Sequence, residues 1–263
     1  MKSKVRERKK GRRRTGLAIL VAVLIVSVSA LFIHSMLNQL STNPVNSSSE
    51  RKAAILDHLS LTMPNQTFVD TATSILQQAG YSVDYYQGEK VTVDLFRNLP
   101  TYGYSIVILR VHSGANADLK AVGFFTAEPY STTKYLYEQL DGQLVKIYYN
   151  ATSDGGNQEY FGINKNFIEK SAKGTFPNAT IIMMGCEGLA FPDMAKAFVG
   201  KGAKVYVGWS GPVSGSHTDE ATICLLQHLV LKNETIRQGI ENTIREVGTD
   251  PAYQSQLVYY PSE

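Results

Sequence analysis

A chain of 263 residues, 43% hydrophobic and 19% charged, can bury one α/β domain's core and does not read as disordered. Its net charge of +3 comes from one end, where Lys2, Lys4, Arg6, Arg8, Lys9, Lys10, Arg12, Arg13 and Arg14 face a single acid, Glu7, so the remainder is acidic. Basic residues interleaved with aromatics across the folded part, which nucleic-acid binding needs, are absent, and no nucleic-acid partner is expected.

In chain order, residues 1–16 read as a basic tail on the cytoplasmic side, and residues 17–37 as an apolar run long enough to cross a bilayer as one helix. Lys and Arg resist translocation, which puts the main domain outside the cell membrane with the N-terminus in the cytoplasm. Small residues at Val28-Ser29-Ala30 give the alternative of a cleaved signal peptide and a secreted domain. Asn-X-Ser/Thr sequons begin at Asn46, Asn65, Asn150, Asn178 and Asn233, in keeping with an exported glycoprotein. Residues 38–50 are a polar tether, and 51–263 the folded domain.

That domain alternates β-rich and amphipathic runs, the pattern of a mostly parallel open sheet with helices on both faces. Strands are expected at 53–56, 81–86 and 105–111, with helices at 68–78, ended by Gly80, and 91–98, ended by Pro100. Segments 124–128 and 144–149 read as strands outside the parallel core, with Asp141-Gly142 as a turn between them. A helix over 164–172 has Asn164 as N-cap. A core strand over 180–184, a helix over 192–199 and a strand over 204–207 come next. The last two helices are expected from about Thr218, with Thr218 or Asp219 as N-cap, to Leu231, and over 234–247.

Two of the core strands end in reactive side chains. Ile106-Val107-Ile108-Leu109-Arg110-Val111 delivers His112, then Ser113-Gly114; Ile181-Ile182-Met183-Met184-Gly185 delivers Cys186, then Glu187-Gly188. Ligands of open α/β sheets bind outside the carboxyl ends of strands, so a His and a Cys on neighbouring strands would meet there. A thiolate is the nucleophile, and an adjacent imidazole makes it available near neutral pH. Taken singly, each has a plainer reading: His112 as a polar strand terminus, Cys186 as core. Cys224, in an apolar helical run, reads as a small core hydrophobe; a disulfide to it would consume Cys186.

The order apolar strand, His, Gly, then apolar strand, Cys, Gly-rich turn resembles the caspase, legumain, clostripain and gingipain peptidases. The later run from Gly202 to Ser214 is similar to the segment after the nucleophile in the gingipain and clostripain branch. The resemblance implies a caspase-hemoglobinase fold, a peptide or protein substrate, His112 as general base and acid, and Cys186 as nucleophile. It implies an oxyanion hole from the N–H groups of Cys186 and of Ser113 or Gly114, and a substrate cleft lined by the Trp209–Ser214 segment, with Trp209, Ser210 and Gly211 as binding residues. Such peptidases have Gly directly after the His; here Ser113 stands there, with Gly114 next, and its Cβ crowds the approach that glycine leaves open.

Arg110 shares a strand face with His112 and is a candidate for a substrate carboxylate, or else a member of a structural ion pair. Glu187, with Glu128, Asp219 and Glu220, would suit a basic side chain. Two rival readings remain: an inactive relative that binds partners at the cell surface, and a hydrolase elbow at Cys186 served by His217 with Asp193 or Asp219. No His-X-X-X-His, Cys-X-X-Cys or phosphate-loop spacing is present, so neither metal nor other cofactor is expected.

Overall fold

The computed structural model describes His34 and residues 51–149 and 158–261. The expected basic tail, membrane helix and tether therefore lie, His34 apart, outside the described residues. Among those described, no helix is long and apolar enough to cross a membrane.

Six strands form the main sheet: β1 (Arg51–Asp57), β2 (Tyr81–Gln87), β3 (Ile106–Arg110), β8 (Thr180–Met183), β9 (Val205–Trp209) and β10 (Leu257–Tyr260). Their order across it is β10-β9-β8-β3-β1-β2. All neighbours run parallel except the edge strand β10, which is antiparallel to β9. Strand β3 is buried at all five positions because it lies centrally with both faces covered, which is why its sequence is continuously apolar until Arg110.

The two-residue period of a strand divides the core. Ala54, Leu56, Val107, Leu109, Ile181 and Met183 point to one side, where α2 (Val93–Asn98), α4 (Lys165–Lys170) and α5 (Asp193–Gly200) pack. Ala53, Ile55, Ile106, Ile108, Ile182, Val205 and Val207 point to the other, under α1 (Gln66–Gln78), α6 (Gly215–Leu226) and α7 (Ile236–Val247). Full burial of each such branched side chain contributes about 1.5–3 kcal/mol. The expected layered α/β architecture is present at this level.

The first face is also covered by a second, antiparallel sheet of β4 (Ser113–Asn116), β5 (Ala121–Pro129), β6 (Leu144–Tyr149) and β7 (Gln158–Asn164). Its order is β4-β5-β7-β6, and Phe124, Phe161 and Ile163 carry it into the core. The two strands expected around Asp141-Gly142 do not pair with each other; β7 runs between them and bonds to both. Between them in the chain stands a short helix, α3 (Leu136–Leu140). Asn164 does cap α4, accepting the Asn166 N–H at 3.0 Å.

The expected cap of α6 is corrected. The helix starts at Gly215 after Ser214, and Thr218 and Asp219 are buried within it. Thr218 Oγ1 donates to the Met184 carbonyl and accepts from Trp209 Nε1, both at 2.9 Å, while Asp219 faces Arg110. Both polar side chains serve long-range contacts that local spacing does not reveal.

Candidate active site

Strands β3 and β8 pair in parallel with Leu109 opposite Met183. His112 and Cys186 each stand three residues beyond that pair, so the register sets them side by side past the carboxyl edge. Adjacent strands lie about 4.8 Å apart, which is the scale on which the two segments leave the sheet. Ser113 Oγ donates to the Cys186 carbonyl at 2.5 Å, stitching the residue after His112 to the backbone of Cys186 itself.

Gly185 is required by this closeness. A Cβ there would lie 2.3 Å from the Val111 carbonyl oxygen and 2.5 Å from Ser113 Oγ, inside the 3.0 Å that real Cβ contacts do not cross. The next turn residue, Glu187, adopts φ +58°, unusual for a residue with a Cβ. Its N–H donates to the Gly211 carbonyl and its carboxylate accepts the Ala115 N–H, both at 2.8 Å. Those ties from both sides hold the conformation that carries the Cys186 turn.

His112 and Cys186 line one cavity of about 20 Å³, together with Leu59, Met63, Val111, Met184, Gly185, Val213, Gly215 and Thr218. That is room for about one water, not for a peptide. The cover comes from the segment between β1 and α1. Thr62 Oγ1 lies 3.0 Å from His112 Nε2, and Leu59 and Met63 border the cavity. The His112 ring also stands edge-on to His58 at 5.7 Å and beside Phe125 at 6.0 Å. Burial, with the positive charge of Arg110 behind it, lowers the His112 pKa, so the ring is neutral at pH 7 and fit to accept a proton. The Val213 N–H donates to Cys186 Sγ at 3.5 Å. Both cysteines are free thiols.

Arg110 is corrected to a structural role. It is 1% exposed, and its guanidinium donates to Asp57 at 2.8 Å, to both Asp219 oxygens at 2.8 and 2.9 Å, and to the Met63 carbonyl at 2.9 Å. One cation thus ties the end of β1, the covering segment and α6 together directly beneath His112. Trp209 is corrected as well: its ring is 1% exposed in the core, so it does not line a cleft. Ser210 is exposed and bonded to Gln256 across the β9–β10 edge, and Gly211 supplies the carbonyl that holds Glu187. Gly114 lies in β4 opposite Gly123, with open space where a Cβ would stand. From the 209–214 segment it is Val213 that reaches the sulfur.

His217 packs on Trp209 at 5.3 Å and is not among the residues lining the cavity with Cys186. Asp193 accepts the Val122 N–H and Asp219 is committed to Arg110, so the elbow arrangement lacks its partners at the sulfur. Glu128 pairs with Lys134 and Tyr135 elsewhere. The Asn65 sequon is explained without a glycan, because Asn65 caps α1 and donates to Asp219 at 2.8 Å. Asn178 and Asn233 are exposed, while Asn46 and Asn150 lie outside the described residues.

Thr62, Asp57 and His58 are the neighbours that local sequence reasoning misses. The available signal is Asp57-His58 at the carboxyl end of an apolar strand, the position that makes His112 conspicuous.

No family model matches this sequence, and no match is found among curated proteins. Among solved structures, the fold is similar to that of the Arg-specific cysteine proteinase gingipain R, at 12% identity and a TM-score of 0.45 over 75% of this chain and 42% of that one. It is also similar to the complex of the Porphyromonas gingivalis RgpB pro- and mature domains, at 12% identity and 0.42 over 76% and 44%. The chain thus spans less than half the length of the structures it resembles.

Proposed function

We propose that the domain is a cysteine endopeptidase of the caspase-hemoglobinase type, working through His112 and Cys186. The observation that carries this reading is the shared cavity of the two side chains at equal register on adjacent parallel strands. In the proposed reaction neutral His112 takes the Cys186 proton and the thiolate adds to a peptide carbonyl carbon. The oxyanion is held by N–H groups of Cys186 and of Ser113 or Gly114. The imidazolium then protonates the departing amine, leaving a thioester, and water activated by His112 releases the acid and restores the thiol. The Leu59–Met63 segment borders the cavity, and in this reading it shifts to seat a peptide. Residues 17–37 would anchor the domain outside the cell membrane, or residues up to Ala30 would be cleaved and the domain secreted.

A second reading, a binding module that does no chemistry, is favoured by that small cavity and by Ser113 in place of glycine. Alkylation by iodoacetamide near neutral pH separates the two. A working pair reacts at Cys186 and slows about tenfold or more in His112→Ala, with no change in His217→Ala. An inert thiol reacts at one slow rate in all three proteins, and slowing in His217→Ala alone would instead support the elbow.

A further inference from the structure

A second cluster of ligand-type side chains lies away from the cleft, towards the C-terminal end of α6. Cys224, His228 and Glu246 bring a sulfur, an imidazole nitrogen and a carboxylate oxygen within 4.8 Å of one another. His228 Nε2 is 3.2 Å from Glu246 Oε1, and Cys224 Sγ is 3.4 Å from Glu246 Oε2. Ligands bound at about 2.0–2.3 Å to a tetrahedral ion stand roughly 3.3–3.5 Å apart, the scale of the His228 and Cys224 contacts to the two Glu246 oxygens.

The imidazole is set up for ligation. His228 is 2% exposed, and its Nε2 is buried without a hydrogen bond although Glu246 is near. Its Nδ1 faces Glu234 Oε2 at 2.9 Å, and Glu234 accepts from Asn242 Nδ2 at 2.7 Å. A carboxylate on Nδ1–H leaves the lone pair of Nε2 directed at the cluster, the arrangement that orients metal-binding histidines. His228 lies in a π-helical turn, Gln227–Leu231, an irregularity concentrated at functional sites. The Lys232 ammonium stands 3.4 Å from Nδ1. Once Cys224 has lost its proton, a thiolate and two carboxylates against one ammonium leave two negative charges, which a divalent ion cancels.

We propose that Cys224, His228 and Glu246 bind a divalent transition-metal ion, Zn²⁺ by the preference for mixed sulfur, nitrogen and oxygen ligands, with water as fourth ligand. The ion fastens α6 to α7, independently of any chemistry at Cys186. A thiol ligates as the thiolate, so Cys224 gives its proton to solvent on binding. The spacings sought in the sequence miss this set because Cys-X-X-X-His supplies two ligands from one helical face and the third comes from the next helix.

The test is titration of the purified, chelator-stripped full chain with Co²⁺, followed in the near ultraviolet. A thiolate-to-cobalt band that saturates at one equivalent and is displaced by Zn²⁺ is expected. It should vanish in Cys224→Ala, persist in Cys186→Ala, and require about 10–100-fold more Co²⁺ in Glu234→Gln. Glu246→Gln, at a half-exposed position, gives a ligand variant that does not disturb the core and should weaken binding. No band, or a band that depends on Cys186 and not on Cys224, overturns the proposal and leaves the cluster a hydrogen-bonded tie between helices.

Discussion

Replacing Arg110 by Met tests whether the ion network beneath His112 holds this end of the sheet. The side-chain volume is roughly kept, but four hydrogen bonds are lost, three to carboxylates and one to the Met63 carbonyl. Asp57 keeps the Ser60 N–H and the Tyr85 hydroxyl, each at 3.0 Å, and Asp219 keeps Asn65 Nδ2. Both carboxylates then stay buried without a cation. Breaking a buried pair in this way costs about 3–5 kcal/mol. For a domain of this size that is a fall of roughly 6–20 °C in Tm. Urea and thermal unfolding, read by the fluorescence of buried Trp209, the single tryptophan, measure it directly. Neutralising the stranded groups, as Arg110→Met with Asp57→Asn and Asp219→Asn, should recover more than half of the loss. A loss below about 1 kcal/mol, or no recovery in the triple variant, refutes the electrostatic account.

Three further outcomes rest on the same contacts. Thr62→Ala, which removes the hydroxyl at His112 Nε2, should raise the alkylation rate of Cys186 severalfold; an unchanged rate means that the covering segment does not limit access. Gly185→Ala drives a methyl group into the Val111 carbonyl and should cost about 1–3 kcal/mol in urea unfolding, with a lower Cys186 rate as the turn shifts; full stability would refute the tight crossing. Burial, reinforced by His112, lowers the His58 pKa to about 3, while the unfolded chain titrates near 6.5. Below pH 6.5 the unfolded state therefore binds the extra proton, and stability falls by up to about 1.4 kcal/mol per pH unit down to about pH 3. His58→Gln should flatten much of that slope in unfolding measured from pH 7 to pH 4, and an equally steep slope in the variant contradicts the assignment.

Those contacts also explain what local sequence can and cannot say. Strands β3 and β8 are legible because burial on both faces demands unbroken apolar runs, and a polar residue ending such a run is conspicuous. That places His112 and Cys186 at strand ends; the register that aligns them comes only with the pairing of Leu109 and Met183. Strand β4, Ser-Gly-Ala-Asn, has no apolar pattern, since its position rests on backbone pairing to β5. Strand β7 is hidden beside a polar stretch, and without it β5 and β6 look like a hairpin. Asp219 resembles a helix cap because its partner, Arg110, is 109 residues away in the chain. The cover over the cavity is illegible for the same reason: nothing local in Leu59–Met63 points to a histidine fifty residues on.

The most direct measurement of the central claim is the mass and site of the adduct formed with a pool of peptidyl acyloxymethyl ketones. One adduct is expected, on Cys186, formed faster in Thr62→Ala and lost in both His112→Ala and Cys186→Ala. Adduct on Cys224, or none on Cys186 even in Thr62→Ala, would contradict it and leave the domain a binding module.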